Sequence, residues 1–209
     1  MIAIIDYGAG NLRSVVNALS RLGYEANVTA SPAEVLKAQA VILPGVGAAA
    51  DTMANLRQQG LDSPIRQFIA GGKPFLGVCI GMQVLLSDTE EGGKHECLGV
   101  IPGRVRKFAP GLKVPHMGWN QLKQKVAHPV FEGIADGANF YFVHSYYVEP
   151  DDKGLVAGET EYGIPFCSVI ARDNLIATQF HPEKSGEVGL KIYENFIKMT
   201  GNEDRRAVK

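Results

Sequence analysis

No apolar run in this sequence approaches the ~20 residues that a bilayer-spanning helix needs. Charge of one sign is also missing. The 21 basic and 22 acidic residues leave no net field to attract nucleic acid or an anionic membrane. Cysteine is scarce: three thiols, an odd count with no repeating spacing, argue against a disulfide framework and for a reducing, cytoplasmic setting. The opening Met1-Ile2-Ala3-Ile4-Ile5-Asp6 lacks the basic segment of a signal peptide and meets an acid at Asp6, so it reads as a first strand. Internal repeats and low-complexity linkers are absent. The 209 residues suffice for one domain with a full core.

The first half alternates short apolar runs with helical patterns. Residues 2–6, 26–29, 40–43 and 74–78 read as strands. Asn11 stands where it can cap a helix whose Val15, Val16, Leu19 and Leu22 share one face, and Gly23 supplies the stop. Helices are expected over residues 50–57, 64–70 and 81–86. Near-continuous apolar strands between helices imply a parallel sheet covered on both faces. The second half is richer in short strands, at 105–108, 140–143, 155–158, 166–171 and 175–179. Arg172-Asp173-Asn174 is turn chemistry and makes the last two a hairpin. A final helix is expected over 187–199, and a polar, frayed tail over 201–209. The expected fold is a single α/β domain over residues 1–200, with a mostly parallel central sheet flanked by helices and an antiparallel excursion in the C-terminal half.

The sharpest motif is Gly77-Val78-Cys79-Ile80-Gly81, entered by an apolar strand and left by a helical pattern. It is the Gly-x-nucleophile-x-Gly arrangement with cysteine in the nucleophile position. A sharp strand-to-helix turn brings backbones together where side chains at 77 and 81 would collide. The turn sets the sulfur at the sheet's carboxyl edge, beside a helix N-terminus that favours thiolate. The N–H of Ile80 is placed to stabilise an oxyanion. A lone cysteine is more often a buried core thiol; the paired glycines in strand–turn–helix context reverse that reading. A thiolate nucleophile needs a base and an orienter. His181-Pro182-Glu183 offers both: proline keeps His181 extended, and residues two apart in an extended segment share a side.

Pro44-Gly45-Val46-Gly47, Gly77-Val78-Cys79-Ile80-Gly81-Met82-Gln83 and His181-Pro182-Glu183 resemble the three signatures of the class I (triad) glutamine amidotransferases, whose fold is flavodoxin-like. Asp6-Tyr7-Gly8-Ala9-Gly10-Asn11-Leu12, Pro115-His116-Met117-Gly118-Trp119-Asn120 and Tyr141-Phe142-Val143-His144-Ser145-Tyr146 are similar to segments of the glutaminase subunits of histidine biosynthesis. The resemblance covers about residues 1–200. It implies Cys79 as nucleophile, His181 as acid and base, Glu183 as orienter, and a second oxyanion donor from the loop of Gly45 and Val46. It implies that Gln83, Glu91, His144, Ser145 and Tyr146 contact or line the site of substrate glutamine. It further implies a heterodimer with a separate (β/α)8-barrel cyclase that receives the ammonia, with Asn11, Trp119 and Lys184 near the interface. No metal or other cofactor is implied, and neither nucleic acid nor membrane is an expected partner. Glycines at 45 and 47 permit the oxyanion loop to reorient.

Other features weigh less. Gly8-Ala9-Gly10 sits where a dinucleotide-binding turn would, but the fingerprint's third glycine falls on Arg13. His95-Glu96-Cys97 has no second Cys/His pair at zinc-site spacing. Cys97 and Cys167 read as structural thiols, His116 as packing or interface, and His128 as a loop residue. His144 competes with His181 for the base role but lacks an orienter in sequence. A thiol peptidase or γ-glutamyl hydrolase would keep Cys79 and His181 without needing a partner. A non-catalytic flavodoxin-like module would need none of the triad. Amidotransferase subunits of other pathways share the triad, so only the longer segments separate them.

Overall fold

The computed structural model describes residues 1–201. Of the tail expected at 201–209, everything from 202 lies outside the described residues. In chain order, β1 (Ile2–Ile5), α1 (Leu12–Arg21), β2 (Ala26–Thr29), α2 (Pro32–Lys37), β3 (Ala40–Leu43), α3 (Ala49–Gln58), α4 (Asp62–Ala70) and β4 (Phe75–Val78) form the alternating half. A short helix α5 (Ile80–Gln83) leads into β5 (Asp88–Thr89), β6 (His95–Glu96), β7 (Gly103–Lys107), β8 (His116–Gln121) and β9 (Lys123–Gln124). Then come β10 (Asn139–His144), β11 (Tyr146–Pro150), β12 (Val156–Glu161), β13 (Pro165–Arg172), β14 (Leu175–Thr178) and α6 (Gly186–Lys198).

The main sheet runs β2-β1-β3-β4-β14-β13-β11-β7-β5-β6, with β12 on β13 and β9 on β12. Its first five strands are parallel. β1, β3, β4 and β14 are buried at every residue, which is why they read as unbroken apolar runs. From β14 onward the neighbours turn antiparallel, apart from β5 beside β7. β8 and β10 stand apart as a two-stranded antiparallel ribbon.

Several local expectations are corrected. The helix expected at 81–86 occupies only Ile80–Gln83. The N–H groups of Leu85 and Leu86 donate to carbonyls three residues back, those of Met82 and Gln83, so the α-helical ladder stops, and the carbonyls of Val84, Leu85 and Leu86 accept from residues 98–101 instead of continuing it. So short a helix carries little dipole to bias the sulfur. Asn11 occupies the N-cap of α1 but its side chain makes no capping bond. The hairpin loop shrinks to Asp173 and Asn174, because Arg172 pairs with Leu175. Helix α2 was not expected, although Ser31-Pro32-Ala33-Glu34 signals it: the Ser31 hydroxyl accepts the Glu34 N–H at 3.4 Å and proline fills the first turn. β8 was also missed. Its Gly118 and polar residues hide a strand whose buried His116 alternates with exposed Met117 and Trp119.

β4 and β14 are parallel neighbours with Val78 opposite Thr178. The chain therefore leaves both strands side by side, at the same edge where β1 and β3 end. An open α/β sheet presents its sites outside the carboxyl ends of its strands.

Candidate active site

Cys79 directly follows β4 and takes φ 55° and ψ −107°, a conformation that side-chain-bearing residues rarely hold. Close backbone approach enforces it. A Cβ on Gly77 would lie 2.7 Å from the Gly81 carbonyl oxygen, and one on Gly81 only 2.0 Å from that of Leu43. The Cys79 N–H donates to the Thr178 carbonyl at 2.7 Å, which ties the elbow to β14. Ile80 opens α5, so its N–H has no acceptor within the helix. Gly45 is buried against this turn: a Cβ there would meet Ile80 Cβ at 2.7 Å, the Gly81 nitrogen at 2.9 Å and the Tyr7 hydroxyl at 3.0 Å. Val46 is exposed, and Gly47 has φ +93°. Close packing thus requires glycine at 45, and backbone angle favours it at 47.

His181 is extended (φ −99°, ψ 99°) and 1% exposed. Its N–H donates to the Tyr141 carbonyl at 3.0 Å. Its ring Nδ1 lies 2.8 Å from Glu183 Oε1. His181 emerges extended just past β14 as the sequence predicts, but Glu183 reaches it from a 3-10 turn over Pro182–Lys184 and not by the side-sharing of a fully extended segment. The other Glu183 oxygen accepts the Tyr193 hydroxyl at 3.3 Å. The turn is fastened by Ser185, whose hydroxyl donates to the His181 carbonyl at 2.7 Å and accepts the Tyr141 N–H at 3.0 Å. Helix α6 crosses so closely that a Cβ on Gly189 would stand 1.9 Å from the Pro182 carbonyl oxygen. Among the described residues, His181 Nε2 has no hydrogen-bond partner within ordinary bonding geometry. Burial opposes protonation of this ring, but the adjacent Cys79 sulfur and the Glu183 carboxylate outweigh it and raise its pKa to about 10. This imidazole is therefore built to hold a proton beside sulfur.

A cavity of about 370 Å³ opens over the sulfur. Cys79, Ile80, Gln83, Glu91, His144, Ser145, Tyr146 and His181 line it, together with Val46, Gly47 and Lys184. Its size suits a small polar ligand. Glu91 lines it, and its Oε2 accepts the Ala49 N–H at the start of α3 at 2.8 Å. His144 is unsuited to compete as a base. Its Nδ1 faces the Tyr146 carbonyl at 2.8 Å and its Nε2 faces His116 Nδ1 at 3.0 Å. Burial holds it neutral, lowering its pKa to about 3, and that of His116 to about 4.

Of the residues expected at the partner interface, Lys184 is exposed at the cavity rim and Trp119 is 58% exposed on β8, its ring 6.0 Å from that of Tyr141. Asn11 begins α1, which packs against the Pro182–Lys184 turn. Cys97 and Cys167 are buried away from the cavity, and burial raises both thiols' pKa values, that of Cys97 to about 11. Sequence reasoning missed Tyr193, Ser185, Gly189 and Gln179. Helical spacing places Gly189 and Tyr193 on one face of α6, the only signal they carry.

Comparison with known proteins places the sequence and the fold. The family model described as glutamine amidotransferase class-I matches residues 3–199. The imidazole glycerol phosphate synthase subunit HisH of Dehalococcoides mccartyi (strain CBDB1) is 59% identical over 199 residues, covering 95% of this chain and 97% of the relative. The same subunit of Geobacter sulfurreducens is 55% identical over 205 residues, covering 95% and 98%. A solved glutamine amidotransferase superposes with a TM-score of 0.76 at 21% identity, over 96% of this chain and all of that one. PurLQS of Thermotoga maritima gives 0.75 at 18%, over 95% and 97%. The last two show the shared fold. With the family match spanning nearly the whole chain, this protein belongs to the class I glutamine amidotransferases.

Proposed function

We propose that residues 1–200 form a glutaminase subunit that releases ammonia from glutamine at Cys79 and passes it to a (β/α)8-barrel cyclase partner. The partner would combine the ammonia with a phosphoribulosyl-formimino intermediate to make imidazole glycerol phosphate and an aminoimidazole carboxamide ribotide in histidine biosynthesis. The observation that carries the chemistry is the meeting of the Cys79 elbow with a histidine held from behind by a buried carboxylate. Identity to the HisH relatives supports the pathway.

In this reading Cys79 gives its proton to His181 Nε2, and the sulfur attacks the γ-carboxamide carbon. The oxyanion is met by the N–H of Ile80 and by the loop of Gly45 and Val46. His181 then protonates the departing nitrogen, and ammonia leaves a thioester. Water, relieved of a proton by His181, adds to the thioester; the C–S bond breaks, sulfur recovers the proton and glutamate departs. Glu183 keeps the His181 tautomer fixed. Glu91 faces the substrate's amino group, and Gln83, His144, Ser145 and Tyr146 shape the rest of the pocket. Free ammonia is mostly protonated in neutral water and then no longer nucleophilic, so direct delivery to a partner is required. Asn11, Trp119 and Lys184 would lie near that partner, and the free thiol suits a reducing, cytoplasmic setting.

The test is glutamate release from glutamine by the chain alone and with the barrel cyclase plus its ligand. Strong stimulation is the expected result. High activity indifferent to the partner would point to another amidotransferase pathway or a free-standing thiol hydrolase. Cys79→Ala is expected to abolish release in both settings.

A further inference from the structure

The proposed mechanism leaves one buried polar side chain beside the sulfur without a role. Gln179 is fully buried just beyond β14, two residues before His181. The chain bends at Gln179 and Phe180, and Phe180 stacks on Phe140 at 4.0 Å. Gln179 Nε2 lies 3.6 Å from Cys79 Sγ, a hydrogen-bond distance for sulfur.

The direction of this amide follows from its partners. The Tyr146 carbonyl can only accept, and the Gln83 side chain meets it at 3.0 Å, so that end of Gln83 is its NH2 group. The same nitrogen's other hydrogen meets the Gln179 side chain at 3.1 Å, so the atom facing it is Gln179 Oε1. That leaves Gln179 Nε2, a donor, against the sulfur. The anchoring carbonyl is held a second time by His144 Nδ1 at 2.8 Å, which needs the N–H there. His116 and Asn120 extend the chain of donors to β8. Every orientation is therefore traced back to one backbone carbonyl.

We propose that Gln179 is a further catalytic residue, whose side-chain N–H stabilises the sulfur of Cys79 as it attacks and again as it leaves the thioester. A thiol sulfur is a weak acceptor, whereas a thiolate is a charged one, so this bond strengthens as charge develops. Gln179 transfers no proton. The thiol proton still passes to His181, and the electron pair of the broken C–S bond returns to a sulfur that already faces a donor. Gln83 is the positioning residue that keeps the donor turned inward. The inference rests on the reading of Cys79 as nucleophile.

The experiment compares wild type, Gln179→Met and Gln179→Glu. The rate of iodoacetamide alkylation of Cys79 is followed against pH on the full chain, and glutaminase turnover is measured in the complex with the cyclase. Gln179→Glu keeps the shape and the acceptor for Gln83 but turns an anionic oxygen to the sulfur, so it carries the test if Gln179→Met does not fold. The alkylation midpoint is expected to rise by about one pH unit in Gln179→Met and further in Gln179→Glu. Turnover is expected to fall about tenfold or more with little change in KM, since Gln179 does not line the cavity. Folded variants with the wild-type midpoint and turnover would overturn the assignment. Alkylated wild-type enzyme is the control. If it still releases glutamate, the reading of Cys79 fails; if it is inactive while the midpoints do not move, only the role of Gln179 fails.

Discussion

At the residue scale, the site depends on glycines whose Cβ has nowhere to go. Gly77, Gly81 and Gly189 lack positive φ, and each is required by an oxygen or backbone atom pressed against it. Gly189→Ala tests this away from the sulfur. Its new methyl would meet the Pro182 carbonyl at 1.9 Å, so α6 and the His181-Pro182-Glu183 turn must part. Overpacking of this kind costs about 1–3 kcal/mol. The expected outcome is a lower melting temperature and a loss of turnover of at least about tenfold, as a misplaced catalytic group produces. Gly186→Ala is the comparison. It has positive φ but open space around it, so it should cost stability with less effect on turnover. Glu183→Gln should slow turnover on the order of a hundredfold, less than Cys79→Ala, because orientation supports the general base without replacing it. Steady-state glutamate release measures both; a Glu183→Gln loss equal to that of Cys79→Ala would make the carboxylate more than an orienter. Gly77, Gly81, Cys79 and the His181–Glu183 pair were legible because the turn and the pair are local in sequence. Gly189, Tyr193 and Gln179 were not: the first two act by the way α6 folds back over the Pro182–Lys184 turn, and Gln179 by contact with Cys79, 100 positions away.

At the element scale, the buried parallel strands announced themselves and the partly exposed ones did not. β3 is apolar at every position, whereas β8 shows apolar side chains to solvent and hides a histidine. Helix α5 stopped short for another reason: the N–H groups of Leu85 and Leu86 turn to carbonyls three residues back, and residues 98–101, over a dozen positions away, take the carbonyls that would carry the helix further. The β8–β10 ribbon presents Met117 at 64% and Trp119 at 58% exposure, close to the His181 segment through Tyr141. Large exposed apolar side chains gathered in this way support the proposal that the partner docks on this ribbon. On the proposed function, Trp119→Ala should leave glutaminase activity of the isolated chain unchanged. It should raise the cyclase concentration for half-maximal stimulation on the order of tenfold or more, as loss of a buried interface aromatic does. An unchanged half-stimulation point would move the contact elsewhere on the molecule.

At the scale of the whole molecule, the two buried histidines that join the ribbon to the cavity are expected to shape the response to acid. The sequence presented His116 and His144 as separate residues; only the pairing of β8 with β10 sets them opposite each other and buries both. Burial lowers their pKa values to about 4 and about 3. In the unfolded chain both return to about 6.5. As pH falls below that value the unfolded state gains protons that the folded state refuses, so stability declines from about pH 6.5 down to about pH 3, below which both states are protonated. His128, lowered by burial too, acts in the same direction. His181 does not offset this. Its raised pKa adds stability that is complete below about pH 6.5 and fades as pH climbs toward 10. Around pH 5 the His116–His144 pair alone should account for the uptake of about two protons on unfolding, each contributing about 1.4 kcal/mol per pH unit. Urea unfolding at closely spaced pH values between 7 and 4.5 measures the slope. His116→Phe keeps an aromatic ring against Phe142 and Tyr162 and removes one titrating group. It should be less stable at pH 7, since the His144 Nε2 acceptor loses its donor, yet its stability should fall less steeply with acid, by about one proton's worth. A slope as steep as that of the wild type would show that the acid response originates outside this pair.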